Sequence, residues 1–275
     1  MKYAYVTFLM RGDSYLPGAA VLAFALKQQT NYQCICLVTE AISYKARKIL
    51  SILFDEVITI NEINFNSRIK CGRSDRDILL TRFEALRLQF DKIILIDADV
   101  LPLAEYDSLF QLNTPAGILF NPLLPHGTEI PRIFTERLSN DPSEIINSGL
   151  WVVNPSDDEY DLIINALQKP HIIDLVKRSP WPEMQLASYL WSGRWVNIDT
   201  KFCLIRKTHK PELLNGIHLA GLKPWQLNNR SIKHYINFPD FILWYQMYSA
   251  MYWSFSQVRE LPMFNRLWEF CKRFI

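Results

Sequence analysis

Short apolar runs alternate with segments that have the three- and four-residue apolar spacing of helices. The runs predict strands over residues 3–9, 34–38 and 56–60, and the segments between them predict helices over residues 19–28 and 43–53. Alternation of strand and helix favours parallel pairing through right-handed crossovers. The first hundred residues therefore predict an α/β fold with a mostly parallel central sheet.

The fourth predicted strand is the most apolar of the chain. Residues 92–96 read Lys-Ile-Ile-Leu-Ile, a run suited to a central strand that is covered on both faces, and it stops at Asp97-Ala98-Asp99. Before it, residues 78–90 have helical spacing and residues 61–77 are polar and predict a loop. Two further strands are predicted, over residues 116–120 and 149–153.

The last forty residues are rich in aromatic side chains and predict helices from about residue 238. We divide the chain into a domain over residues 1–235 and a helical extension over residues 236–275 that packs on it. The apolar stretch at residues 241–253 is shorter than the roughly 20 residues that a membrane-spanning helix needs. Packing on the α/β core or on a second copy in a homodimer is favoured over binding to a membrane surface, which stays open as an alternative.

Composition and charge narrow the class of protein. Hydrophobic residues make up 49% and charged residues 21% of the 275 residues, which excludes a disordered or low-complexity chain. The formal charge is only +2, which argues against a general nucleic-acid binder. The five cysteines are an odd number without Cys-x-x-Cys spacing, so free thiols in a reduced compartment, the cytoplasm, are expected.

Two carboxylates follow the most apolar strand directly. In open α/β sheets, ligands bind beyond the carboxyl ends of the strands. Asp97 and Asp99 are two positions apart, so in an extended chain their side chains project to the same side. Paired carboxylates are hard oxygen ligands that suit Mg²⁺ or Mn²⁺ shared with phosphate groups. A solvated turn or a helix cap is the alternative interpretation of the same residues.

Two other motifs carry polar groups next to flexible glycines. Asn147-Ser148-Gly149 precedes a predicted strand and could hydrogen-bond sugar hydroxyls, although an ordinary turn has the same composition. His218 follows a short strand-like segment, and Gly221 precedes Lys223. A histidine can ligate a metal and a lysine can bind a phosphate, but each alone is more often structural or solvated.

Taken together in their order along the chain, these pieces resemble the glycogenin-like retaining glycosyltransferases of family eight, which have a GT-A fold. The matching motifs span residues 4 to 225. They are Ala4-Tyr5-Val6-Thr7, Tyr15 and Gly18, Leu26-Lys27-Gln28, Phe54-Asp55-Glu56-Val57, Leu80-Thr81-Arg82, Asp97-Ala98-Asp99, Asn147-Ser148-Gly149 with Asn154-Pro155-Ser156, and residues 218–225.

The resemblance implies a metal-dependent transfer of a hexose or related sugar from a UDP-sugar to a hydroxyl acceptor. It implies that Asp97, Asp99 and His218 hold Mn²⁺, or Mg²⁺, against the diphosphate. The nucleotide side would be formed by Thr7, Phe8, Leu9, Tyr15, Ala98, Gly221 and Lys223. Asn147 would face the donor sugar or the acceptor, and Arg82 would contact the donor sugar or Asp97.

The chain departs from the family pattern where an Asp-Gln pair normally opens a helix. Glu183 and Gln185 are the approximate equivalents here, and Glu183 is the one candidate for a covalent intermediate. We favour same-face attack by the acceptor instead. A non-catalytic UDP-sugar-binding protein of the same fold stays open as an alternative. A sugar-nucleotide pyrophosphorylase is disfavoured because residues 7–13 contain a single glycine, too few for a triphosphate-binding loop.

Three tryptophans lie on the predicted acceptor side of the sequence and could stack on a sugar. They are Trp181, Trp191 and Trp195. Core packing is the favoured interpretation for all three, because large aromatic side chains are commonly buried.

Overall fold

The fold is described from a computed structural model over residues 1–63, 77–119, 124–136, 145–205, 210–227, 233–234 and 237–275. Its strands are β1 (Tyr3–Leu9), β2 (Gln33–Val38), β3 (Glu56–Thr59), β4 (Lys92–Ile96), β5 (Val100–Pro102), β6 (Ala116–Ile118), β7 (Asn147–Val153), β8 (Val196–Asn197), β9 (Leu204–Ile205) and β10 (Gly216–His218). Its α-helices are α1 (Leu16–Lys27), α2 (Tyr44–Leu53), α3 (Arg132–Glu136), α4 (Asp157–Ala166), α5 (Pro170–Arg178), α6 (Pro182–Leu190), α7 (Asp240–Ser254) and α8 (Pro262–Cys271).

Seven strands form one sheet in the order β3-β2-β1-β4-β7-β6-β8, and β5, β10 and β9 form a second, smaller sheet. In the large sheet, β1 pairs with β4 in parallel, and β6 pairs with β8 in parallel. Strand β7 runs antiparallel to both of its neighbours, β4 and β6. The α/β class with a mostly parallel central sheet is confirmed.

Most predicted elements are present, and the largest difference lies before β4. Helical spacing was predicted over residues 78–90, and residues Asp77–Arg87 form a 3-10 helix that ends three residues earlier. Apolar residues at three- and four-residue spacing line one face of either helix type, so this pattern does not separate them. Helix α1 begins three residues earlier than predicted, and β7 begins two residues earlier. Most of the loop predicted over residues 61–77 lies outside the described residues, and so does Phe120, the last residue of the strand predicted over residues 116–120.

The chain divides into two compact units. Unit 1 comprises Met1–Val6, Thr59–Ile96 and Ser108–Thr200, and unit 2 comprises Thr7–Ile58, Asp97–Asp107 and Lys201–Ile275. The boundary that we predicted near residue 235 stays a prediction. In the part of the chain that the structure describes, every helix is too short or too polar to cross a membrane.

The core of unit 1 contains a cluster of tryptophans. Trp151, Trp191 and Trp195 are at most 2% exposed, and the centroids of their rings lie 5.3 to 6.1 Å apart. Edge-to-face and tilted arrangements at these distances stabilise a core beyond simple burial. Trp191 and Trp195 therefore belong to the core, as favoured from the sequence. Trp181 differs from them, because it is 41% exposed just before α6.

The core of unit 2 is built around α1, which packs against α2, α7 and β5. Residues 16–23 of α1 are all buried, because three neighbouring elements cover the helix on different sides. Ser43 starts α2 as predicted, since its hydroxyl accepts a hydrogen bond from the Ala46 N–H at 3.2 Å. The same serine donates from its hydroxyl to the Asp13 carboxylate at 2.6 Å, which ties α2 to the segment before α1.

Candidate functional site

A tight turn and a strand pair in unit 2 bring the two aspartates to the histidine. The Val100 N–H donates to the Asp97 carbonyl at 3.0 Å, which folds residues 97–100 into a turn. Strand β5 then pairs antiparallel with β10, with Val100 opposite His218. The Leu219 N–H donates to the Asp99 carbonyl at 2.8 Å, which continues the pairing past His218. This register places a residue more than a hundred positions downstream beside the Asp-x-Asp motif.

Asp97, Asp99 and His218 converge on one point. Each offers a ligand atom, and these atoms all lie within 4.8 Å of one another. Asp99 and His218 are each 7% exposed, while Asp97 is half-buried. The His218 Nε2 atom lies 3.4 Å from Asp99 Oδ1. Three side chains that sequence reasoning grouped by resemblance are thus brought together in space.

Lys223 places a positive charge beside the Asp99 carboxylate. Its ammonium forms a buried ion pair with Asp99 Oδ2 and donates to the Leu219 carbonyl at 2.8 Å. Burial alone would raise the pKa of Asp99, but the charges of His218 and Lys223 outweigh it and hold this pKa well below the usual range. Asp99 is therefore a carboxylate at neutral pH, the form that binds a cation.

The chemistry of the three side chains fits a divalent cation. Two carboxylates and an imidazole are a ligand set used for Mn²⁺ and similar ions. The Nδ1 atom of His218 is buried and has no hydrogen-bond partner among the described residues, which is costly for a polar atom unless a ligand satisfies it. The described residues contain this one group of three metal-ligating side chains.

The residues that we predicted for the nucleotide side and that belong to unit 2 differ in burial and in contacts. Ala98 is buried, and the Tyr15 ring, 37% exposed, lies 5.6 Å from the Lys223 ammonium and contacts Trp225 edge-to-face. Leu9 is buried in the core, whereas Phe8 is half-buried. The Thr7 hydroxyl is buried without a hydrogen-bond partner in the described residues. The roles of these residues toward a nucleotide stay predictions.

Gly18 allows α1 to approach the aspartate turn closely. A Cβ atom at this position would lie 2.5 Å from the Ala98 carbonyl oxygen and 2.5 Å from a ring carbon of Trp225. Neither neighbour is the end of a flexible side chain, so a larger residue must push α1 away from the turn. The absence of a side chain at Gly18 therefore helps to fix the positions of Asp97 and Asp99.

We expect Gly18→Ala to destabilise the protein by about 2 kcal/mol, because overpacking a close contact typically costs 1–3 kcal/mol. Urea unfolding followed by circular dichroism measures this change. The variant carries its own control, since glycine-to-alanine inside a helix otherwise stabilises by up to about 1 kcal/mol. A stability equal to or above that of the wild type would contradict the close contact.

The loop that carries Lys223 is held by several backbone and side-chain contacts. Gly221 has a φ of +80°, a conformation that favours glycine. The Lys223 N–H donates to the side-chain oxygen of Gln226 at 3.4 Å, and the Gln226 N–H donates to the Lys223 carbonyl at 3.1 Å. Gly221 and Lys223, both predicted phosphate-binding residues, thus lie in one braced loop.

Unit 1 contains a second buried polar cluster formed by Arg82, Ser148 and Glu183. The Arg82 guanidinium donates to the Ser148 carbonyl at 3.0 Å and lies 3.9 Å from Glu183 Oε1. The Ser148 hydroxyl donates to Glu183 Oε1 at 3.1 Å. Arg82 also stacks over the Trp151 ring, with 4.8 Å between guanidinium carbon and ring centroid. The role of Arg82 toward the donor sugar or Asp97 stays a prediction.

Asn147 and Gln185 lie in the same unit and are also buried. The Asn147 side-chain oxygen accepts from the Gly149 N–H at 2.8 Å, so the motif is the buried start of β7 rather than an ordinary turn. Gln185 is 4% exposed on α6, two residues after Glu183. Their roles toward a sugar or an acceptor stay predictions.

The residues that hold the Lys223 loop in place were not identified from the sequence. Tyr245 of α7 donates from its hydroxyl to the Pro224 carbonyl at 2.9 Å, next to Lys223. Gln226 braces the same loop. The aromatic run of α7 was visible in the sequence, but it carries no signal that separates these contacts from general core packing.

No protein-family model matches the chain. The uncharacterised protein R707 of Acanthamoeba polyphaga mimivirus is 28% identical over 278 residues, which cover 93% of this chain and 97% of R707. Glycogenin-1 of Oryctolagus cuniculus is 30% identical over 180 residues, which cover 62% of this chain and 47% of that protein. The solved structure of the galactosyltransferase LgtC with donor and acceptor sugar analogues matches 87% of this chain and 94% of LgtC, at 13% identity and a TM-score of 0.60.

The structural match shows that the fold is that of the GT-A glycosyltransferases. Among proteins with this function in their names, the chain is similar in sequence to glycogenins. The chain spans about half the length of the glycogenin-1 proteins that it matches.

Proposed function

We propose that this chain is a metal-dependent glycosyltransferase that transfers a hexose or related sugar from a UDP-sugar to a hydroxyl acceptor with retention of anomeric configuration. The observation that carries the proposal is the convergence of Asp97, Asp99 and His218 within 4.8 Å, beside the buried Lys223. A non-catalytic sugar-nucleotide binder would need the same cluster, so turnover has to be measured.

The proposed chemistry is the departure of UDP from the anomeric carbon. Asp97, Asp99 and His218 would hold Mn²⁺ or Mg²⁺, which when bound supplies a Lewis acid for the diphosphate. Lys223 offers a positive charge to the negative charge that grows on the leaving diphosphate, and electrostatic stabilisation of this kind often contributes more to catalysis than any other effect. The buried position of Lys223 strengthens the interaction, because water screens it less there.

Retention is proposed to occur by same-face attack of the acceptor, with a phosphate oxygen accepting the acceptor's proton. The alternative needs a carboxylate that is free to attack the anomeric carbon. Glu183 is 2% exposed and already accepts a hydrogen bond from Ser148, beside Arg82. A carboxylate engaged in this way is a poorer nucleophile, which favours the first route.

The experiment is a panel of UDP-sugars incubated with the purified protein, Mn²⁺ and candidate hydroxyl acceptors. We expect UDP release from at least one donor, and loss of that release when EDTA removes the metal. ADP-glucose serves as the control for recognition of the uracil base. UDP binding without turnover of any donor would favour the non-catalytic alternative. Equal release in the presence and absence of EDTA would contradict metal dependence.

A further inference from the structure

The aromatic C-terminal helix contacts the loop that carries Lys223. Tyr245 and Trp244 of α7 are at most 1% exposed. The Tyr245 hydroxyl donates to the carbonyl oxygen of Pro224 at 2.9 Å, and the Trp244 ring lies 5.4 Å from the ring of Trp225. Both contacts fall on the two residues that directly follow Lys223.

The chemistry of Pro224 makes this contact important for the loop. Proline has no N–H, so its carbonyl is its one backbone group for hydrogen bonding. Pro224 is buried, and a buried carbonyl without a partner is costly. The Tyr245 hydroxyl supplies that partner from a helix, where the ring has few rotamers to lose.

The other contacts of the loop show where the lysine side chain is fixed. At the start of the loop, the Leu219 N–H bonds the Asp99 carbonyl, and the Leu219 carbonyl accepts from the Lys223 ammonium. After Lys223, Trp225 touches both Tyr15 and Trp244. The lysine is thus held between the aspartate turn on one side and α7 on the other.

We propose that Tyr245 is a positioning residue for Lys223: by binding the Pro224 carbonyl, it fixes the loop so that the ammonium stays at Asp99, where a donor diphosphate would bind. The C-terminal helix then supports the loop that would bind the phosphates. The inference rests on the proposed function for the identity of the ligand. The loop contact itself does not depend on that function, so it can be tested separately.

The test compares Tyr245→Phe with Tyr248→Phe. Tyr248 lies one turn further along α7, is also buried, and donates to a backbone carbonyl, that of Phe264, at 2.6 Å. Each variant loses one buried hydroxyl and one hydrogen bond to a carbonyl, but of these two hydroxyls it is that of Tyr245 that binds the Lys223 loop. The two variants are therefore expected to lose equal free energy of unfolding. A difference between them in the Lys223 loop then shows the effect of the Tyr245 contact with that loop.

The first measurement is hydrogen–deuterium exchange of the peptide that contains residues 219–227, with no ligand present. We expect about tenfold faster exchange in Tyr245→Phe, because its loop loses a buried hydrogen bond, and wild-type exchange in Tyr248→Phe. Equal exchange in the two variants would overturn the inference, whatever the protein's activity.

The second measurement is UDP binding by calorimetry in Mn²⁺. We expect Tyr245→Phe to weaken binding about fivefold, Tyr248→Phe to leave it unchanged, and the Tyr245→Phe effect to vanish when Lys223→Met is already present. An effect of Tyr245→Phe that persists in full in Lys223→Met would overturn the inference. UDP binding without turnover would refute the proposed function alone.

Discussion

Replacing Asp99 with asparagine is expected to slow UDP release about a thousandfold and to abolish tight binding of Mn²⁺. Asp99 is the buried carboxylate of the cluster, and it faces both His218 and Lys223. Asparagine keeps its size and one oxygen but removes its charge. A thousandfold slower rate corresponds to a loss of about 4 kcal/mol of transition-state stabilisation. This loss lies within the several kcal/mol that a catalytic metal typically contributes.

Two controls separate this effect from loss of folding. The change leaves Lys223 buried without its partner carboxylate, and breaking a buried ion pair typically costs about 3–5 kcal/mol. Thermal unfolding of the variant, measured in the same buffer, shows whether the folded state survives at the assay temperature. Asp161→Asn, at an exposed position of α4 in unit 1, should behave as the wild type. A folded Asp99→Asn protein with unchanged Mn²⁺ affinity would remove Asp99 from the metal site.

The local pattern of apolar and polar residues correctly predicted the strand that the two aspartates follow. The run at residues 92–96 is strand β4, all of it half-buried or buried, and Asp97 and Asp99 follow it at a tight turn. Strands of a central sheet are buried, and the pattern of apolar residues along a sequence indicates directly which segments are buried. The same reasoning found Ser43 as the residue that starts α2, because a cap depends on a few neighbouring residues.

The position of His218 could not be derived from the sequence pattern. It reaches Asp99 because β10 pairs with β5 in one particular register, and a slip of one residue would turn its side chain to the other face. Nothing in residues 216–218 specifies that partner strand. The assignment came from resemblance to a family, and the structure shows the convergence of the three side chains.

The contacts that hold the Lys223 loop could not be predicted either, because they also depend on the tertiary structure. The many aromatic residues near the C-terminus all predict burial, yet Tyr245 binds the Pro224 carbonyl and Tyr248 binds the Phe264 carbonyl. Which hydroxyl meets which carbonyl depends on the relative placement of helix and loop. Similarly, composition did not distinguish the exposed Trp181 from the two core tryptophans, Trp191 and Trp195.

Lys223→Met is expected to lower kcat/KM for the UDP-sugar about a hundredfold, while the affinity for Mn²⁺ alone stays equal or rises. The first effect follows because removing one charged or hydrogen-bonding group from the developing negative charge typically costs about 10²–10³ in rate. The second follows because the ammonium and a metal cation both bind the Asp99 carboxylate and compete for it. Methionine keeps most of the length of the buried lysine side chain, so packing changes little.

The opposite directions of the two effects make this prediction specific. A variant that merely loosened the site would lose both metal affinity and turnover, whereas loss of a competing positive charge lowers turnover without lowering metal affinity. Steady-state kinetics and Mn²⁺ titration by calorimetry measure the two quantities, with Lys45→Met, at an exposed position of α2, as the matched control. Unchanged kcat/KM in a folded Lys223→Met protein would show that Lys223 serves Asp99 alone and takes no part in the transfer.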